Sequence, residues 1–141
     1  KNLKPEAVWE IENGLSLSGQ DIYDAALKKS KWYNSASELF EKFDLLVLPS
    51  TQVWPFDLAE IYPVSIKNEK MDTYHRWMQV TIPAGLLGLP VVNIPIGFGK
   101  TGLPAGIQLI GSKGSDGYIL SIAQAWHEHT KWPYVNIPNF N

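Results

Sequence analysis

GLPVVNIPIGFGKTGLPAGIQLIG, from Gly88 to Gly111, holds two short apolar runs set between glycines and prolines. Pro90 opens the first run, Val91 to Ile96, and Pro95 interrupts it near its end. Gly97, Gly99 and Gly102 free the backbone for a tight reversal. The second run, Ile107 to Ile110, stops at Gly111. This pattern predicts a β-hairpin with a glycine-rich connection. Pro95 has no N–H to give to a ladder. Its strand therefore needs an edge, a bulge or a departing chain at that point.

Working outward, Ser115-Asp116 predicts the cap of a last helix with Ile119, Ile122, Ala123 and Trp126 on one face. His127, His129 and Lys131 sit at its end, where cations suit the helix dipole. Upstream, Met71-Asp72-Thr73 offers an N-cap for a helix from Tyr74 to about Ile82. Pro83 disturbs it, and a further turn reaches Gly88. Leu45-Leu46-Val47-Leu48 lacks alternation and predicts a strand buried on both faces. The stretch from Pro49 to Lys70 has no clean period and reads as a long loop, a kind of segment that is usually functional. Pro5 suits the first turn of a helix ending near Asn13-Gly14, with glycine as C-cap. Ser18 and Asp21 form an approximate capping box for a second helix carrying Ile22, Ala26, Trp32, Tyr33, Ala36, Leu39, Phe40 and Phe43.

The 141 residues suffice for one domain with a real core, and 45% hydrophobic content argues against disorder. A net charge of −2 argues against a nucleic-acid or anionic-membrane surface, since both need a basic face. No apolar run approaches the roughly 20 residues that span a bilayer. The start of the chain has no signal-peptide core, which for a fragment says nothing of the parent's true start. A cytoplasmic location is expected. Cysteine is absent, which removes disulfides, thiol nucleophiles and Cys-ligated metal. His127-Glu128-His129 places its histidines two apart, off a common helix face, so no metal or other cofactor is expected. Gly97-Phe98-Gly99-Lys100-Thr101 fails as a phosphate loop, because Ile94 stands where the first glycine belongs. No Gly-x-Ser-x-Gly nucleophile elbow occurs.

The ordered series Leu48-Pro49-Ser50-Thr51, Thr81-Ile82-Pro83, Gly88-Leu89-Pro90, Pro95, Gly97, Gly102-Leu103-Pro104, Gly106, Gln108, Ile110-Gly111 and Asp116 resembles the C-terminal portion of the amidase signature family. The segment Asp72-Thr73-Tyr74-His75-Arg76-Trp77-Met78 is similar to that of stand-alone bacterial amidases. The resemblance runs from about Leu3 to Trp132. It marks residues 1–132 as the C-terminal part of an amidase domain and 133–141 as a tail. It implies an α/β fold, with helices packed on a mixed β-sheet as part of an α/β/α sandwich. It also implies hydrolysis of a carboxylic amide by a Ser–Ser–Lys triad that resides in a glycine- and serine-rich stretch. No such stretch occurs here, so no catalytic residue is assigned. On this reading the segment supplies pocket walls and support, is inactive alone, and depends on a missing N-terminal half.

Thr51, Trp54, Phe56, Tyr74, Trp77 and Met78 are the substrate-binding candidates. The loop holding the first three follows a strand end, where α/β folds bind ligands. The competing reading makes the aromatics core residues, and lets the Ser50 and Thr51 hydroxyls end the strand through local backbone bonds. In the glutamine-using tRNA amidotransferases of the same family, an acidic residue three places before the threonine helps hold the charged end of glutamine. Met78 stands there and points to an apolar acyl or aryl substituent. The expected partner is a small-molecule amide. Two alternatives remain, a non-catalytic interaction module and the A-type component of a tRNA amidotransferase. A severed sheet would leave the Leu45–Leu48 strand, Trp9, Trp32 and Trp54 partly exposed, so self-association is expected as well.

Overall fold

The computed structural model describes residues 3–137. The chain opens with two helices, α1 (Pro5–Ser16) and α2 (Gly19–Phe40), followed by strand β1 (Leu46–Pro49). A long excursion then carries a two-stranded ribbon, β2 (Ser65–Ile66) and β3 (Glu69–Lys70). Helix α3 (Tyr74–Trp77), a 3₁₀ turn (Gln79–Thr81) and α4 (Ile82–Leu87) lead into the hairpin of β4 (Val91–Phe98) and β5 (Pro104–Ile110). Helices α5 (Asp116–Thr130) and α6 (Trp132–Val135) complete the order.

The hairpin is the centre of the fold. Its strands join β1 in a sheet of order β1-β5-β4, with β5 in the middle. Both pairings are antiparallel. Helices pack on this sheet in an α/β arrangement, and the strands described here contribute only antiparallel pairs to it. Ile94, Leu109 and Ile110 are buried in the sheet, and Ile119 of α5 is buried with them.

Pro95 sits where the ladder breaks. Pro95 pairs with Gly106 and Gly97 with Ala105, which leaves Ile96 as the extra residue of a bulge. The β4 strand also lies at one edge of the three. The Trp126 indole of α5 donates to the Pro95 carbonyl at 2.8 Å and ties the helix to the bulge.

Local chemistry explains most element ends. The Ser18–Asp21 capping box is complete. Ser18 N–H donates to Asp21 Oδ2 at 2.8 Å, and Asp21 N–H donates to Ser18 Oγ at 3.2 Å. The hydrogen bonds from the Ser18 side chain and backbone hold the Asp21 carboxyl below its ordinary value. A depressed carboxylate helps the cap above the ordinary range, and that help fades as pH falls through the lowered value. Helix α1 runs past Gly14 to Ser16, with Ser16 Oγ donating to the Asn13 carbonyl, so Gly14 is not the C-cap. Thr73 does cap α3, accepting from Arg76 N–H at 3.2 Å. The helix expected to reach Ile82 stops at Trp77. The chain then tightens into a 3₁₀ turn, and Pro83 lies in the first turn of α4, where its missing N–H costs nothing. Gly88 closes α4 in the left-handed conformation, φ 64°. Ser115 does not cap α5 through its side chain. Its hydroxyl donates to the Ser112 carbonyl at 2.7 Å instead.

Three further expectations change. Val47 is 51% exposed, so β1 is not buried on both faces in this chain, which matches the partial exposure expected of the Leu45–Leu48 strand in a severed sheet. Trp9, Trp32 and Trp54 are exposed at 43%, 40% and 60%, matching the partial exposure expected of them. The expected loop from Pro49 to Lys70 contains the small β2–β3 ribbon, turned by Lys67 and Asn68 at positive φ. The segment expected as a tail forms α6 at Trp132–Val135, with the Trp132 ring edge-on to Phe98 at 6.3 Å. Residues 138–141 of that tail, and residues 1–2 at the other end, lie outside the described residues.

Two glycines give opposite predictions. A Cβ on Gly111 would stand 2.1 Å from Ser115 Oγ and 2.6 Å from Ile119 Cγ2. Gly111→Ala should lose about 1–3 kcal/mol in urea unfolding, because the helix and strand cannot separate without strain. A Cβ on helical Gly85 would meet nothing within 4 Å. Gly85→Ala should gain about 0.5–1 kcal/mol. Equal effects at the two sites would contradict this packing.

Candidate functional site

A cleft of about 360 Å³ opens where the end of β1 meets the bulged end of the hairpin. The loop after β1 supplies Thr51, Gln52, Val53, Trp54 and Phe56, helix α3 supplies Trp77, and the hairpin supplies Ile96, Pro104, Ala105 and Gly106. None of the lining residues is Asp, Glu, Lys, Arg or His.

Each wall has an identifiable support. Gly106 lets the chain after β1 approach closely, since a Cβ there would lie 3.0 Å from Ser50 Oγ. Ser50 N–H donates to the Gly106 carbonyl at 3.0 Å, and its hydroxyl donates to Asn93 Oδ1 at 2.9 Å. Thr51 Oγ1 donates to the Val53 carbonyl and accepts from Val53 N–H, which turns the chain into the loop. Both hydroxyls thus end the strand through structural bonds, while the Thr51 side chain still lines the cleft. Trp54 lies flat on the hairpin connection. A Cβ on Gly99 would stand 2.7 Å from Trp54 Cζ3. Phe56 meets Trp77 edge-on, with centroids 5.7 Å apart.

Two carboxamides lock these segments together. The Gln108 side chain, 3% exposed, donates from Nε2 to the Pro49 carbonyl at 2.9 Å and to the Val80 carbonyl at 3.2 Å. Gln52 Nε2 donates to the carbonyls of Arg76 and Trp77, and Gln52 Oε1 accepts from Gln79 at 3.2 Å. The first fixes the loop and the 3₁₀ turn against the sheet. The second fixes the loop against α3.

Of the six residues singled out in the sequence, Thr51, Trp54, Phe56 and Trp77 come together in this cleft. Tyr74 lines a separate hollow with Trp9 and Tyr62, although its ring also meets Trp77 edge-on at 6.1 Å. Met78 ends α3, where its carbonyl accepts the Thr81 hydroxyl at 2.9 Å, and it lies outside the lining. Sequence reasoning missed Ile96 and Gln52. The signal for Ile96 was Pro95, because a proline-induced bulge re-aims the next side chain. Gln52 carried no such signal, since a single glutamine in a loop has no period. Among the described residues no three His, Asp or Glu side chains gather as a metal site, and no helix is long and apolar enough to cross a membrane.

These features have relatives. The chain matches the Amidase family over residues 1–120. It is 34% identical over 140 residues to the A component of the glutamyl-tRNA(Gln) amidotransferase of Dehalococcoides mccartyi, covering 94% of this chain and 27% of that protein. It is 38% identical over 112 residues to the fatty acid amide hydrolase of Medicago truncatula, covering 78% of this chain and 18% of that one. Its backbone matches the crystal structure of a bacterial aryl acylamidase of the amidase signature family with a TM-score of 0.82 and 25% identity, over 92% of this chain and 27% of that enzyme. The chain therefore spans about a quarter of the length of the first of these relatives and of the acylamidase. The family match and the backbone likeness agree, and the chain belongs to the amidase signature family.

Proposed function

We propose that this segment forms the wall of an amide-hydrolysing site that receives the uncharged acyl or aryl part of a carboxylic amide. The observation that carries the proposal is the lining of the cleft. Trp54, Phe56, Trp77 and Ile96 offer ring and alkyl surface, and no ionisable group faces them. Placing a charged substituent there would strip its water without supplying a partner, at a cost of several kcal/mol. An apolar group gains about 25 cal/mol for each Å² it buries. The family's serine nucleophile attacks the amide carbonyl to form an acyl-enzyme, and that serine is not assigned to any residue of this chain. The segment's work is binding and orientation.

A second reading, the A-type component of a tRNA amidotransferase, is favoured by the identity with the Dehalococcoides protein. The cleft and Met78 weigh against it. Glutamine carries a charged end, and neither the lining nor residue 78 provides a countercharge.

The test is made in a protein that carries this segment within an entire amidase fold. Anilides should be hydrolysed with higher kcat/KM than glutamine or a succinamate-type charged amide. Trp77→Ala should lower kcat/KM for the anilide about tenfold or more, the equivalent of about 1.4 kcal/mol of lost contact. Ile96→Asp, at a half-exposed position, should do the same with little change in melting temperature. Preference for glutamine, or equal loss across all amides together with a matching fall in melting temperature, would refute the proposal.

A further inference from the structure

A second hollow, of about 210 Å³, lies between the first turns of α1 and the start of α3. Aromatic rings dominate its walls. Trp9 stacks on His75 with centroids 5.6 Å apart, and Tyr62 meets Tyr74 edge-on at 5.9 Å. Tyr74 and His75 are also edge-on, at 6.3 Å. An aromatic ring carries the negative end of its quadrupole on its faces, which is where a cation is attracted.

The charges around the hollow are unequal. Asp72 lines it, but Arg76 Nε contacts its Oδ1 at 2.8 Å. His75 Nε2 lies 2.6 Å from Glu10 Oε1. Glu6, partly buried in the lining, has no hydrogen bond or ion pair with any described residue. Lys4 lines an adjoining hollow together with Glu6, Ile61 and Tyr74, without an ion pair to Glu6, and does not line this one. Aromatic rings and a carboxylate with no ion pair among the described residues share one hollow, and no three-residue metal cluster occurs among the described residues. An anion would be repelled here. A strongly hydrated metal ion would exchange its water for ring faces and lose. A cation with an apolar coat suits both features.

The geometry points to a binding site for a small organic ammonium ion, quaternary or alkylated, seated against Trp9, Tyr62 and Tyr74 with Glu6 as its countercharge. This hollow is separate from the amide cleft, and the inference does not depend on what that cleft binds. It gives Tyr74 a role outside the cleft, and adds a ligand role to Glu6, which also suits the first turn of α1, and to Trp9, which also stacks on His75.

The experiment is a two-dimensional NMR titration of the 141-residue chain with choline as probe. Its uncharged isostere 3,3-dimethylbutanol and sodium chloride at equal ionic strength serve as controls. Choline should give saturable shifts centred on Trp9, Tyr62, Tyr74 and His75. The isostere should bind about fivefold more weakly or worse. Glu6→Gln and Trp9→Leu should each weaken choline about threefold or more. If Trp9→Leu fails to fold, Glu6→Gln and the isostere comparison still decide. Shifts identical to those from sodium chloride, equal binding of the isostere, unchanged affinity in Glu6→Gln, or shifts centred on Trp54 and Trp77 would each overturn the assignment.

Discussion

One buried carboxamide sets the geometry of the functional face. Gln108 sits on the central strand, and a side chain so deeply buried must spend its N–H groups on partners inside the protein. It spends them on the carbonyls of Pro49 and Val80, the end of β1 and the 3₁₀ turn. The first is already held beside Gln108 by the β1–β5 ladder, and the second belongs to a segment outside the sheet and far away in sequence. Once they converge, the loop from Ser50 to Phe56 and the helix holding Trp77 must arrive on the same side of the hairpin. Gln52 repeats the device one layer out, bonding the loop to the carbonyls of Arg76 and Trp77.

The chemistry of the cleft follows from that convergence and from two features of the hairpin. The bulge after Pro95 adds Ile96 to the lining. The bare backbone of Gly99 lets the Trp54 ring lie against it. The lining itself holds no ionisable side chain. Glu6, Asp72 and His75 line the second hollow instead, with Arg76 against Asp72 and Glu10 against His75. Tyr74 and Trp77, three residues apart on α3, meet edge-on at 6.1 Å and separate the two environments. One short helix thus presents Trp77 to the cleft and Tyr74 and His75 to the hollow.

Glycine and proline made the hairpin legible, because their backbone constraints are local and a sequence states them outright. The bulge was legible from Pro95, the α2 start from Ser18 and Asp21, and the α3 start from Thr73. The helix through Ile82 was not, since the apolar period continues across Met78 while Pro83 permits only a restart. The exposure of Val47 followed from the family resemblance and not from the apolar run itself. Four consecutive apolar residues look the same whether or not a neighbour covers the outer face. In the site, Trp54, Phe56 and Trp77 could be grouped because aromatics in a loop and in the following helix invite grouping. Tyr74 could not be separated from Trp77, because helical spacing places them on neighbouring surfaces without saying which cavity each one lines. The carboxamide bonds of Gln108 and Gln52 are long-range and end on backbone carbonyls, which no side-chain pattern records.

The most direct measurement is a set of intermolecular nuclear Overhauser effects between a soluble anilide and the ring protons of the 141-residue chain. If the cleft receives the uncharged part of an amide, cross-peaks will join the anilide's acyl or aryl protons to Trp54, Phe56 and Trp77. They will be absent for a charged succinamate of the same size. Cross-peaks that fall elsewhere, or that appear equally for the charged amide, would contradict the assignment of this cleft.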